Sequence, residues 1–259
     1  MSVYLDYLEI QITDFCNLNC KGCSHCAGLA QKGSHVPVDS FERDLIRLKT
    51  LFPKIDKIRI LGGEPFLNPD LDKYFEIAAD LYEDADVRVV TNGLLCLKRA
   101  PDFYQKMRKM DIGLDITVYP PTLKYLEQIK EMLDSYEIRY QCTDIIKRFV
   151  RRINLEGTSD MQSAFRDCTS KGCTFLRDGI LSLCPLPIIA DTFCDYFGIN
   201  IDTSAGKINL YDETLTAEGV FCFLNSPNLM CCYCSVPEYF DWEAGNMPAQ
   251  EDWVVRGPV

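Results

Sequence analysis

The sequence predicts an α/β fold of parallel strands and helices, followed by a small cysteine-rich extension. Three observations support it: β-rich segments alternate with segments of helical periodicity, the alternation stops near residue 150, and cysteines then punctuate much shorter elements. A chain of 259 residues can bury a full-sized core and still carry a small appendage. We therefore expect a core domain at residues 1–155 and an extension at residues 156–259.

The core elements follow from two patterns that repeat along the chain. The first strand alternates apolar and polar residues, and the helix after it places Phe41, Leu45, Leu48 and Leu51 at helical spacing. Strands that are joined through helices in this way form a parallel sheet. The predicted strands are residues 7–13, 57–61, 86–91, 112–118 and 138–142, and the predicted helices are residues 41–52, 70–83, 103–110 and 123–136.

The extension is predicted to contain a β-hairpin and short helices. Residues 173–184 fit a hairpin, because Asp178-Gly179 is a turn that tolerates positive φ. Elements this small bury too little apolar surface to fold alone, so we expect metal sites to hold them together. Short helices are predicted at residues 187–198 and near 213–224, and a cysteine-rich loop at residues 231–234.

Charge and composition exclude several kinds of partner. The formal net charge is −11, from 27 basic and 38 acidic residues, so we expect no nucleic-acid partner. The N-terminus lacks the pattern of a secretory signal, and no apolar run is long enough for a membrane span. We therefore expect a cytoplasmic protein, in which 14 reduced cysteines indicate metal binding or catalysis more than disulfides.

Three cysteines in the run TDFCNLNCKGC are the most informative residues. Cys16, Cys20 and Cys23 are spaced CxxxCxxC, which leaves a four-iron cluster one ligand short. Electron-transfer sites close such clusters with four cysteines, whereas catalytic metal sites keep one position open. Zinc binding or disulfides are the alternatives, and Cys26 could act as a fourth ligand because Cys23-x-x-Cys26 has the spacing of a zinc knuckle.

Other unusual motifs follow the next predicted strands. Gly62-Gly63-Glu64-Pro65 comes after the second strand and Thr91-Asn92-Gly93 after the third, so both are expected at the rim where the carboxyl ends of the strands meet. Glycines allow a ligand to approach the backbone closely, and Glu64 could orient a cationic amine.

Together these motifs resemble the radical S-adenosylmethionine (SAM) enzymes. The resemblance implies a partial (β/α)6 TIM-like barrel. It also implies a [4Fe–4S] cluster on Cys16, Cys20 and Cys23, whose open iron binds SAM. In that family an electron, delivered by a flavodoxin- or ferredoxin-type reductant, cleaves SAM to a 5′-deoxyadenosyl radical that abstracts hydrogen from substrate.

The resemblance also assigns SAM-binding residues. Gly62, Gly63 and Glu64 match the family's GGEP motif, and Asn92 matches its TNG motif, although an Asn-Gly turn alone explains the latter. Thr117 matches a hydroxyl position near SAM, but β-branched residues fill strands anyway. The family usually has an aromatic residue before the third cysteine; here it is Gly22, which leaves only backbone contacts to the adenine from that position.

A second cysteine set resembles the SPASM/twitch subgroup of the same family. Its members hold an auxiliary iron–sulfur cluster in a C-terminal hairpin and CxxC loop, and the number of cysteines here fits the shorter twitch form with one auxiliary cluster. Cys173 could replace Cys168, and a zinc ribbon is the alternative to iron. The implied ligands are Cys168, Cys184, Cys231 and Cys234.

The twitch form implies oxidation of a carbinol on a sugar- or aminocyclitol-like small molecule, with the auxiliary cluster as electron acceptor. Arg152 could bind a hydroxyl-rich substrate, and no residue stands out as the base. Cys96 or Cys142, near the rim, could return a hydrogen atom in an epimerase. The alternatives are peptide modification and, outside catalysis, an electron carrier or zinc-stapled binding protein.

Overall fold

A computed structural model describes residues 3–30, 33–245 and 247–256 and confirms the five predicted parallel strands. They form one sheet in the order β5-β4-β3-β2-β1, and each is parallel to its neighbour. The strands are β1 Leu8–Thr13, β2 Lys57–Gly62, β3 Asp86–Thr91, β4 Gly113–Ile116 and β5 Tyr140–Cys142; the helices between them are α1 Val38–Leu51, α2 Leu71–Leu81, α3 Pro101–Lys109 and α4 Leu126–Ser135.

The alternation within each strand divides the sheet into two faces. Ile10 and Ile60 point into the main hydrophobic core, which the helices complete with residues such as Leu45 and Phe75. The opposite face carries polar side chains at the alternate positions, including Gln11 and Arg59. The helices therefore cover one face, and the other face is available for a polar site.

The next strand does not extend the parallel sheet. β6 (Arg148–Ile153) pairs antiparallel with β10 (Cys234–Asp241) in a separate two-stranded sheet. Its basic residues suggest a solvated edge, yet Arg151 is buried: its Nη1 donates to the Glu251 carbonyl at 2.8 Å, and its guanidinium lies 4.7 Å from the Phe240 ring centroid. A ring and a carbonyl thus replace water around this cation.

The predicted hairpin is present and continues the main sheet. β7 (Phe175–Arg177) and β8 (Ile180–Ser182) are antiparallel, with positive φ at Asp178 and Gly179. β7 also pairs parallel with β1, so the extension is joined to the core by backbone hydrogen bonds. The remaining elements are α5 Met161–Arg166, α6 Leu186–Phe197, β9 Ile208–Asn209 and α7 Ala217–Leu224. Among the described helices, none is both long and apolar enough to cross a bilayer.

Candidate active site

One cavity of about 270 Å³ lies at the carboxyl ends of β1 to β4. It brings together most of the residues that the core motifs single out, because parallel strands place their carboxyl ends at one edge. The predicted site residues on its wall are Cys16, Cys20, Cys23, Gly62, Gly63, Asn92 and Thr117.

The two glycines after β2 lie against the cysteine loop. Gly63 donates its backbone N–H to the Thr13 carbonyl at 2.9 Å, and Glu64 donates to the Phe15 carbonyl at 3.0 Å. A Cβ on Gly63 would stand 2.1 Å from the Phe15 oxygen, and one on Gly62 would stand 2.2 Å from the Thr13 oxygen. Both glycines are therefore required by a close backbone contact that fixes the loop carrying the cysteines.

Glu64 lies beneath the cavity wall and is fully buried. Its carboxylate accepts from the Thr91 hydroxyl at 2.8 Å and from the backbone N–H groups of Asn92 at 2.8 Å and Phe66 at 3.0 Å. Burial raises its pKa from 4.5 to about 7, although these hydrogen bonds favour the ionised form. The side chain thus ties the β2 loop to the end of β3.

The three core thiols fit a cationic metal cluster. Burial raises the pKa of Cys16 and of Cys20 to about 12, and repulsion from Cys23 adds to both shifts. A bound metal reverses this preference, since it favours the thiolate. No three His, Cys, Asp or Glu side chains in the described part of the chain are placed to hold a single metal ion. The three thiols do lie on one cavity wall.

Cys26 is directed away from this cavity. It is buried in a second hydrophobic cluster with Phe193 and Trp253, and it lines a separate cavity of about 120 Å³ with Cys168 and Cys184. The knuckle spacing of Cys23 and Cys26 is accounted for by a local turn, in which the Cys26 N–H donates to the Cys23 carbonyl at 2.9 Å.

The second cysteine set is also assembled. Burial raises the pKa of Cys184 well above its usual range, and repulsion from the other three thiols, Cys168, Cys231 and Cys234, adds to the shift. Cys173 instead interacts with Glu9 as well as with Cys168. The arrangement therefore has Cys168, and not Cys173, next to all the other members.

Arg152 faces this second set. It lines the 120 Å³ cavity, and its guanidinium lies 3.5 Å from the Ser170 hydroxyl and 3.3 Å from the Thr169 hydroxyl. Burial raises the pKa of Cys234, and the charge of Arg152 partly offsets that rise. Because it borders the Cys168 set, its charge can offset thiolate charge there.

Three further predicted residues lie elsewhere. Cys96 is buried in the main core, and Cys142 packs against the same core. Neither is among the residues on the wall of the 270 Å³ cavity. Gly22 borders the smaller cavity, where a Cβ would stand 2.5 Å from the Asp252 carbonyl oxygen and 2.8 Å from the Phe240 ring. Its lack of a side chain is explained by this contact with the C-terminal segment.

Aromatic side chains form part of the cavity wall. Tyr119 and Phe149 line it, with ring centroids 6.0 Å apart, and the Trp242 ring centroid lies 5.5 Å from that of Tyr119. The sequence places Tyr119-Pro120-Pro121 after the fourth predicted strand, at this rim, but without a role in the site. Phe149 and Trp242 come from β6 and the segment after β10, for which no local motif exists.

The fold and this cysteine site define the class of protein. The sequence profile of the radical SAM superfamily matches residues 10–158, more than half of the chain, and the chain belongs to that superfamily.

Particular relatives share parts of the chain. A GTP 3',8-cyclase of Campylobacter jejuni subsp. doylei is 33% identical over 141 residues, which are 51% of this chain and 41% of that protein. The GTP 3',8-cyclase of Aliarcobacter butzleri is 30% identical over 180 residues, 65% of this chain and 53% of that protein. The chain thus spans about half the length of these curated relatives.

A solved structure is similar over nearly the whole chain. The crystal structure of BtrN in complex with AdoMet and 2-DOIA aligns with a TM-score of 0.50 and 15% identity. The alignment covers 91% of this chain and 95% of that one. At this identity the similarity concerns the fold alone.

Proposed function

We propose that this chain is a radical SAM dehydrogenase with a twitch-type extension. The observation that carries the proposal is the convergence of Cys16, Cys20 and Cys23 on one cavity, together with a second set of interacting thiols in the extension. When bound, the two clusters supply one-electron chemistry. The first would supply the electron that cleaves SAM to a 5′-deoxyadenosyl radical, and the second would accept the electron released when a substrate carbinol loses a hydrogen atom and a proton.

The residues of the core loops have distinct roles in this proposal. Cys16, Cys20 and Cys23 hold the SAM-binding [4Fe–4S] cluster. Gly62 and Gly63 hold the cysteine loop and leave the cavity wall open beside it. Asn92 and Thr117 line the cavity, where polar groups of SAM need partners, and the Asn92 amide is held in place by donating to Oδ1 of Asn17 at 2.7 Å.

The auxiliary cluster is assigned to Cys168, Cys184, Cys231 and Cys234. Mutual repulsion among these thiols when charged favours a cationic occupant. Arg152 offsets the charge of this cluster, which eases its reduction by substrate. A flavodoxin- or ferredoxin-type protein is the proposed reductant of the first cluster.

The cavity lining favours a hydroxyl-rich substrate without anionic groups. None of the described residues that line the 270 Å³ cavity is a lysine or an arginine, whereas hydroxyl, amide and imidazole groups come from Thr117, Asn92 and His25. A sugar- or aminocyclitol-like molecule fits this chemistry. GTP cyclisation is the second candidate, because of the 30–33% identity to GTP 3',8-cyclases, but a triphosphate needs cationic partners.

Anaerobic reconstitution with iron and sulfide tests the proposal. We expect about eight irons per chain and reductive cleavage of SAM to 5′-deoxyadenosine. Replacement of Cys16, Cys20 and Cys23 by alanine is expected to leave about four irons and abolish cleavage. Zinc in place of iron, or cleavage that survives the triple replacement, would contradict the proposal. Incubation with GTP distinguishes the second candidate.

A further inference from the structure

An indole N–H from the C-terminal segment points at one thiol of the first set. Nε1 of Trp242 donates to Sγ of Cys20 at 3.2 Å, although the two residues are 222 positions apart in the chain. The backbone N–H of Trp242 donates to the Lys147 carbonyl at 2.9 Å, and its ring packs against Tyr119. The indole is therefore held from two sides.

The residues after Trp242 attach to the cysteine loop itself. Lys21 donates its backbone N–H to the Glu243 carbonyl at 3.0 Å, and the two side chains form an ion pair at 2.6 Å. Gly245 donates to the Asn19 carbonyl at 3.0 Å. These contacts fix the distance between the indole and the Cys20 sulfur independently of the hydrogen bond between them.

Side-chain nitrogen donors reach two of the three sulfurs. The Asn92 amide nitrogen lies 3.6 Å from Sγ of Cys16 and comes from the end of the neighbouring strand β3. The donor to Cys20 lies closer, at 3.2 Å, and comes from the C-terminal segment.

We propose that Trp242 is a positioning residue that sets the reduction potential of the SAM-binding cluster through its N–H···S hydrogen bond to Cys20. Hydrogen bonds to cluster sulfurs stabilise the added negative charge, so they raise the potential. Through this residue the C-terminal segment controls how readily the first cluster accepts an electron. The inference rests on the proposed function, since it requires a cluster on Cys16, Cys20 and Cys23.

Trp253 provides a matched control. It is the second of the two tryptophans in the chain, and its Nε1 donates to the Cys23 carbonyl oxygen at 2.8 Å, and not to a sulfur. Trp242→Phe and Trp253→Phe therefore each remove one indole donor to the same loop. Only Trp242→Phe removes a hydrogen bond to a cluster ligand atom.

The test is a redox titration followed by electron paramagnetic resonance. The parent is a Cys184→Ala, Cys231→Ala, Cys234→Ala chain, so that the signal belongs to the first cluster alone. Trp242→Phe is expected to make reduction at least tenfold less favourable, a midpoint lower by about 59 mV for one electron. Trp253→Phe is expected to keep the parent midpoint.

Each other outcome decides the question. Equal midpoints in both variants, with intact iron content, overturn the inference and leave the proposed function standing. If Trp242→Phe holds no cluster, Trp242→His is measured instead, because it keeps a ring N–H. A midpoint of Trp242→His equal to that of the parent supports the inference. A midpoint at which reduction is tenfold less favourable overturns it. A parent that binds no iron overturns the proposed function and the inference together.

Discussion

The carboxylate of Glu64 accepts the backbone N–H of Asn92 at 2.8 Å, which joins the ends of β2 and β3 through one buried charge. In the structure its oxygens accept hydrogen bonds from the Thr91 hydroxyl and from the backbone N–H groups of Asn92 and Phe66. These contacts give Glu64 a structural role beneath the cavity wall. Its predicted role in orienting a cationic amine stays a prediction.

Glu64 gives the iron-free protein a specific pH dependence. Its pKa is raised from 4.5 to about 7 in the folded state, so its contribution to stability is present below pH 4.5 and is lost as the pH rises through 7. Urea denaturation of the parent and of Glu64→Gln at pH 5 and pH 8 measures this. Between pH 5 and pH 8 the unfolding free energy of the parent should fall more than that of Glu64→Gln, with a slope approaching about 1.4 kcal/mol per pH unit. Parallel pH profiles would contradict the assignment.

Gly63→Ala should disrupt the cysteine loop. The added Cβ would stand 2.1 Å from a backbone oxygen, and a backbone cannot swing aside as a side chain can. We expect a loss of about 3 kcal/mol or more in unfolding free energy, together with lower iron content after reconstitution. Gly219→Ala is the control: it lies in α7, where the added Cβ would meet only the Thr216 hydroxyl, at 3.1 Å, and a side chain can shift, so the change should stay within about 0.5 kcal/mol. Equal losses of unfolding free energy in Gly63→Ala and Gly219→Ala would contradict the steric explanation.

The parallel sheet could be predicted because each strand carries its own signal. Five apolar or alternating segments are separated by helical segments. A helix between two strands returns the chain to the same end of the sheet, so these connections imply parallel pairing. The meeting of Gly62, Asn92 and Thr117 at one cavity follows from that topology, since each residue lies at or just beyond the carboxyl end of its strand. Their roles in binding SAM remain predictions.

The contacts made by the C-terminal segment could not be predicted. β6 and β10 pair antiparallel across a long stretch of chain, and such a pairing leaves no local pattern. Arg151 appears solvent-facing by residue type, yet the Phe240 ring and the Glu251 carbonyl make its burial possible. The C-terminal segment also leaves no room for a side chain at residue 22, and it places Trp242 beside Cys20.

Cys26→Ala tests whether the first cluster keeps an open position. Cys26 lies in the hydrophobic cluster with Phe193 and Trp253, so its loss should cost about 1 kcal/mol of packing. Iron content and SAM cleavage should be unchanged, because the proposed function assigns the first cluster to Cys16, Cys20 and Cys23 alone. Loss of the first cluster in this variant, measured by iron analysis and paramagnetic resonance, would show that Cys26 occupies the position proposed for SAM.

Arg152→Met should lower the reduction potential of the proposed auxiliary cluster. The guanidinium borders the cavity that contains Cys168 and Cys234, and removing a positive charge beside a cluster disfavours its reduction. In a Cys16→Ala, Cys20→Ala, Cys23→Ala background, a redox titration should show a midpoint lower by about 59 mV, a tenfold change for one electron.

Arg148→Met is the matched control for Arg152→Met. Arg148 lies on the same strand but is exposed, with its guanidinium 5.0 Å from the Tyr239 ring, so its loss should leave the auxiliary midpoint unchanged. An unchanged midpoint in Arg152→Met, combined with slower turnover in the chain that keeps all its cysteines, would instead assign Arg152 to substrate binding. The two roles are separable because only one of them requires charge next to the thiols.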